Sequence, residues 1–160
     1  MLKVTIIALG HLKEKYLREA SQEYEKRLKA FCKLDIVELE PKSLPDNPNS
    51  AEIDTALQHE ADKILSLIPN GAFVAPLCIE GKTLSSEELS KKFENLAVFG
   101  TSHIVFIIGS SYGLADTVKN RADFKLSMSL MTFPHQLARI MLLEQVYRAF
   151  KISQGGTYHK

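Results

Sequence analysis

The sequence predicts an α/β domain with a mostly parallel sheet and flanking helices. Segments of strand character and helix character alternate five times along 160 residues, the pattern of strands joined by helical crossovers. The stretch "HIVFIIG", His103 to Gly109, is apolar on both faces, as in a central strand of a covered sheet. No internal repeat or low-complexity tract interrupts the alternation. The length fits one domain over residues 1–160, able to bury about two thirds of its surface.

"KVTIIAL", Lys3 to Leu9, is β-branched and stops at Gly10, so it reads as the first strand. From Lys13 to Ala30 the apolar positions Leu17, Ala20, Tyr24 and Leu28 keep helical spacing. "LDIVEL", Leu34 to Leu39, alternates as a second strand and ends before Pro41. Pro41, Pro45 and Pro48 make the next segment a surface loop. Asn49 with Glu52 three residues on caps a second helix, which carries Ile53, Leu57, Ala61, Ile64 and Ile68. "PNG" at Pro69 to Gly71 stops it.

"AFVAPLCI", Ala72 to Ile79, is the third strand; Pro76 removes a ladder donor and makes that end irregular or an edge. Ser85 with Glu88 opens a third helix carrying Leu89, Phe93 and Leu96. The fourth strand and a short helix near Asp116 to Ala122 follow. "FKLSMS" is the fifth strand, and His135 to Phe150 the last helix.

Apolar residues make up 45% and charged residues 24%, the balance of a globular protein. The formal net charge is +1, which excludes the strongly basic footprint of a general nucleic-acid binder and leaves only recognition by a local patch or an assembled surface. The two cysteines, Cys32 and Cys78, have no paired spacing and read as reduced thiols. No signal peptide and no membrane span is expected, and the expected location is the cytoplasm.

Ligands of open α/β sheets bind beyond the carboxyl ends of the strands. Three loops there are unusual: "LCIEGK", "IIGSSYGL" and "LSMSLMTFP". The turn after the first strand has a single glycine, which argues against a dinucleotide fingerprint, and no P-loop is present. Gly109 allows close backbone approach, in a ligand loop or in a plain turn. The loop Ser127 to Phe133 offers main-chain donors and acceptors, hydroxyls and soft apolar side chains. That suits a purine, or equally a loop packed under the helix. Pro134 fixes the chain at the helix mouth.

The last helix is apolar almost all round, more than one sheet contact needs, which predicts a homodimer interface. Arg139, Glu144 and Arg148 interrupt it as interface ion pairs, a solvated edge or site residues. The tail carries Tyr158, able to stack or donate, His159, able to move a proton near neutral pH, and Lys160, able to pair with phosphate.

"FIIGSSYGL", "LSMSLMTFPHQLARIMLLEQVYRAFKI" and the terminal "YHK" closely resemble the RlmH family of small SPOUT-class methyltransferases. The opening "LKVTIIALGHLKEKYLREASQEYEKRL" and "LCIEGKTLSSEELS" fit the same family, so the resemblance covers essentially the whole length. It implies a SPOUT-like fold with a C-terminal trefoil knot, an obligate homodimer and S-adenosylmethionine as methyl donor. The implied substrate is N3 of a pseudouridine in helix 69 of 23S ribosomal RNA, in the assembled ribosome.

Carried over by motif, the cofactor site comprises Leu77, Gly109 and the run Met128, Ser129, Leu130, Met131, Thr132 and Phe133. Tyr158, His159 and Lys160 meet the target nucleotide, with Arg139 beside them and Glu144 and Arg148 as further candidates; no metal and no membrane partner are implied. His159 is expected to accept or relay the N3 proton. Three positions depart from the family pattern: Ser110 replaces a second glycine, Cys78 an acidic residue, and Thr157 a proline before the terminal Tyr-His. Alternative readings are a nucleotide-dependent α/β enzyme that uses the Gly109 loop for phosphate, and a non-catalytic ribosome-associated module.

Overall fold

The computed structural model describes residues 1–155. Five strands form one sheet in the order β2-β1-β4-β3-β5: β1 Lys3–Leu9, β2 Lys33–Leu39, β3 Phe73–Thr83, β4 His103–Ile108 and β5 Leu126–Ser127. Every pairing is parallel, so the expected mostly parallel sheet is fully parallel. The helices are α1 Lys15–Leu28, α2 Ser50–Ser66, α3 Ser86–Val98, α4 Asp116–Arg121 and α5 His135–Ser153.

Side-chain alternation on the strands divides the core. Val4, Ile6 and Ala8 of β1, Ala75 of β3, and Ile104, Phe106 and Ile108 of β4 face one layer. That layer holds Leu28 at the end of α1, Leu89 and Phe93 of α3, and Leu142, Leu143, Val146 and Ala149 of α5. Ile7, Leu9, Val74, Val105 and Ile107 face the other layer, where Ala61 and Ile64 of α2 meet Leu114 and, on α4, Val118. As expected, β4 is central, between β1 and β3, with Ile104 to Ile108 buried.

Both expected helix starts are complete capping boxes. Asn49 accepts from the Glu52 amide while Glu52 reaches back to Asn49, and Ser85 and Glu88 do the same. Pro76 makes β3 irregular, although β3 is not an edge: its pairing with β4 stops at Pro76, and its register against β5 shifts between Leu77 and Lys82. β5 is shorter than the expected "FKLSMS". The Asp123 and Phe124 amides both donate to the Val74 carbonyl, and beyond Ser127 hydroxyl bonds turn the chain away.

Helix α5 lies between α1 and α3. Phe150 stacks on Phe31 at 5.8 Å and meets Phe93 at 5.4 Å, while Tyr24 and Tyr147 stand 6.3 Å apart. Much of the helix's all-round apolar surface is therefore covered within its own chain. Leu137 remains exposed, and Ile140 and Met141 are half-buried.

Candidate functional site

At the carboxyl edge of the sheet, the outer half of β3 and the segments after β4 and β5 enclose a cleft of about 810 Å³. Its size suits a nucleoside-sized ligand. These are the three segments that the sequence sets apart, but "LCIEGK" is not a loop after the third strand: β3 runs on through it to Thr83, because pairing with β5 and the bond from the Lys82 amide to the Lys125 carbonyl keep it extended. Each wall has its own cause.

The first wall is β3 beyond Pro76. Leu77, Cys78 and Glu80 line it. Burial, and then the charge of Glu80, pushes the Cys78 thiol above its ordinary value, so it lines the wall as a neutral group. Lys119 of α4 pairs with Glu80 at 2.8 Å and holds that carboxyl below its ordinary range. The cleft thus carries a carboxylate two residues beyond Cys78, the position where the family pattern has an acid.

The second wall is the turn from Gly109 to Gly113. The Gly113 amide donates to the Ser110 carbonyl at 2.9 Å, and Gly113 has φ +85°, a conformation that favours glycine. The turn folds so tightly that a Cβ on Gly109 would stand 2.5 Å from the Gly113 carbonyl oxygen. Ser110 takes the place of a second glycine without a positive φ, and its hydroxyl donates to Glu60 at 3.2 Å.

The third wall follows β5. The Ser127 hydroxyl donates to the Ser129 carbonyl at 2.9 Å, and the Ser129 hydroxyl accepts from the Met131 amide at 3.0 Å. These bonds fold the chain back on itself, so that Met128, Ser129, Met131, Thr132 and Phe133 all line the cleft. Leu130 is outside the lining and 93% exposed; only its main chain belongs to the same turn. Pro134 is the N-cap of α5, one position before N1, and its carbonyl accepts from the Ala138 amide.

Arg139 stands elsewhere. It is 3% exposed, donates to the Gly10 carbonyl at 3.0 Å and pairs with Glu38 at 2.7 Å. It ties the first turns of α5 to the ends of β1 and β2, assisted by the Lys13 amide, which donates to Gln136. Burial pushes the Glu38 carboxyl up, but the bonds from Arg139 and His11 outweigh it and hold it below the ordinary value. Arg148 and Glu144 pair one turn apart on α5 at 2.9 Å. Tyr158, His159, Lys160 and Thr157 lie outside the described residues.

Sequence reasoning did not single out His135, Glu80 or Lys119, although all three line the cleft. His135 had a signal in its place at the helix mouth on the carboxyl edge. Burial, then the charges of Arg139 and Lys13, push its pKa below 6.5, so its imidazole is neutral near pH 7. Glu80 sits in the "LCIEGK" stretch, which the structure places in β3, whereas Lys119 reaches the cleft only because α4 folds back beside β3. Among the described residues, no group of three His, Cys, Asp or Glu is placed to hold a metal, and no helix is long and apolar enough to cross a membrane.

The family model described as predicted SPOUT methyltransferase matches residues 2–159. The ribosomal RNA large subunit methyltransferase H of Clostridium botulinum is 50% identical over 159 residues, 99% of this chain and 100% of its own. The proteins of the same name from Clostridioides difficile and Acetivibrio thermocellus are 48% and 46% identical over the same shares. A parallel sheet with a ligand-sized cleft at its carboxyl edge, the sequence motifs around that cleft and end-to-end similarity agree: the chain belongs to the RlmH family of SPOUT methyltransferases.

Proposed function

We propose that this chain methylates N3 of a pseudouridine in helix 69 of 23S ribosomal RNA within the assembled ribosome, in the cytoplasm, using S-adenosylmethionine. One observation carries the reading. The residues that the family motifs assign to the donor, Leu77, Gly109 and Met128 to Phe133, fall on the walls of a single cleft, with only the Leu130 side chain outside it. The cleft also fits such a donor chemically. Main-chain groups suit an adenine edge, Met128 and Met131 give soft apolar contact, and Glu80 brings an acidic group to the same space.

When bound, adenosylmethionine supplies a methyl group on a sulfonium, which is both electrophile and leaving group. The protein's part is therefore placement. Holding two reactants in line at near contact can supply about 7–11 kcal/mol of a barrier. The 109–113 turn and the 128–133 loop fix the donor side. On the acceptor side, Tyr158 and Lys160 position base and phosphate, and His159 takes the N3 proton, help typically worth about 10²–10⁴-fold. Arg139 acts by holding α5, and with it His135 and Pro134, against β1.

The active form is a homodimer and the C-terminal segment forms a trefoil knot. Exposed Leu130, Met131 and Leu137, at and after the third wall, support the dimer. The path of the chain supports the knot: β5 pairs outside β3, yet α5 crosses back to the end of β1.

The test is transfer of labelled methyl to ribosomes that lack the modification. Intact protein is expected to label 23S RNA at one pseudouridine, and a chain cut after Thr157 to bind donor without labelling. Labelling of another RNA, or undiminished labelling by the cut chain, contradicts the reading.

A further inference from the structure

Glu60, on α2, is the one buried carboxyl among the described residues, with 3% exposure. No role in the site follows from its place in the sequence. Its two oxygens accept from different parts of the chain: Oε2 from the Lys42 amide at 2.9 Å, and Oε1 from the Ser110 hydroxyl at 3.2 Å. Lys42 belongs to the proline-rich loop after β2. Ser110 belongs to the tight turn that forms the second wall of the cleft.

Behind that wall lies a smaller cavity of about 120 Å³, lined by Pro41, Lys42, Leu44, Glu60 and Ser110 to Tyr112. Ser110, Ser111 and Tyr112 line both spaces, so the turn is a thin partition between them. A partition with a cavity on its far side has little packing to fix its position. Its side-chain tie there is Ser110 to Glu60. Within the turn the Gly113 amide bonds the Ser110 carbonyl at 2.9 Å, so a hold on Ser110 reaches both ends of the turn.

We propose that Glu60 is a positioning residue for donor binding: through Ser110 it fixes the 109–113 wall of the cleft, and through the Lys42 amide it links that wall to the proline-rich loop. A carboxyl suits the task because both its oxygens accept, whereas a glutamine accepts on one only. Glutamine is nonetheless close to a replacement, since its amide can donate to the Ser110 oxygen while its carbonyl keeps the Lys42 bond.

The inference rests on the donor reading of the cleft, and the test separates the two. Adenosylmethionine affinity is measured by calorimetry for the intact protein and for Ser110→Ala, Glu60→Leu, the double variant and Glu60→Gln, together with KM for donor and kcat. If the intact protein binds no donor, the reading of the cleft fails. If it binds, Ser110→Ala and Glu60→Leu are each expected to weaken binding about tenfold, and the double variant no more than Glu60→Leu alone, as for one shared contact. Glu60→Gln recovers most of the loss, and KM for donor rises while kcat at saturating donor changes little. Losses that multiply in the double variant mean that Ser110 touches the donor directly, and they overturn the proposal. Should Glu60→Leu fail to fold, unchanged donor affinity in Ser110→Ala overturns it equally.

Discussion

Gly109 shows how a single missing methyl shapes the site. With a Cβ 2.5 Å from the Gly113 carbonyl oxygen, Gly109→Ala must move one side of the turn. A displacement near 1 Å at a reacting site can cost about a hundredfold. We expect Gly109→Ala to lose on the order of a hundredfold in kcat/KM while its thermal unfolding stays cooperative; methyl-transfer kinetics and a melting curve check the two. The histidines give a second test. Bonds to Glu40 and Glu38 raise the pKa of His11, and burial lowers those of His135 and His103. Stability from His11 is therefore fully present below 6.5 and lost as pH rises through its folded value; that from His135 is present above 6.5 and lost as pH falls. An NMR titration should place His11 above 6.5, and His135 and His103 below it. At this scale the sequence was readable where a residue announces a backbone need, as Gly109 and Pro134 do. It was not readable for Lys119, which meets Glu80 across 39 positions of chain, or for Arg139, whose Glu38 partner is 101 positions away.

Among the elements, the capped helices were the most legible, because a capping box is local chemistry complete within four residues. Ser85→Ala removes the side-chain acceptor of the Glu88 amide, and is expected to cost about 1 kcal/mol; denaturant unfolding should show it as a lower midpoint with an unchanged slope. Strand β5 was the least legible. The apolar residues of "FKLSMS" suggest six extended positions, but the structure uses two, since Asp123 and Phe124 are drawn to the Val74 carbonyl and Ser127 and Ser129 fold the chain into the cleft wall. Competition between a ladder and local hydroxyl bonds does not show in hydrophobic pattern. Helix α5 taught the opposite lesson. Its all-round apolarity predicts two burial partners, and α1, α3 and the sheet already supply several within one chain.

Over the whole molecule, alternation of strand and helix was enough for the parallel sheet, and the rule of carboxyl-edge binding was enough to locate the cleft. Neither gives the threading of the chain or the state of assembly, which depend on contacts distant in sequence or between copies. A net charge of +1 also has a consequence at this scale. A protein of this charge has no general hold on RNA, so bare helix 69 fragments should bind weakly and lose most of that binding between low and physiological salt; tight, salt-resistant binding in a filter assay would contradict recognition through the assembled ribosome. The proposed donor site is built from the end of β3 and the loops after β4 and β5, and its plainest test is a crystal structure with S-adenosylmethionine. Adenosyl density is expected between Leu77, Gly109 and Met128 to Phe133, with the sulfonium facing open solvent where an acceptor can approach. Density at any other place, with this cleft vacant, would contradict it.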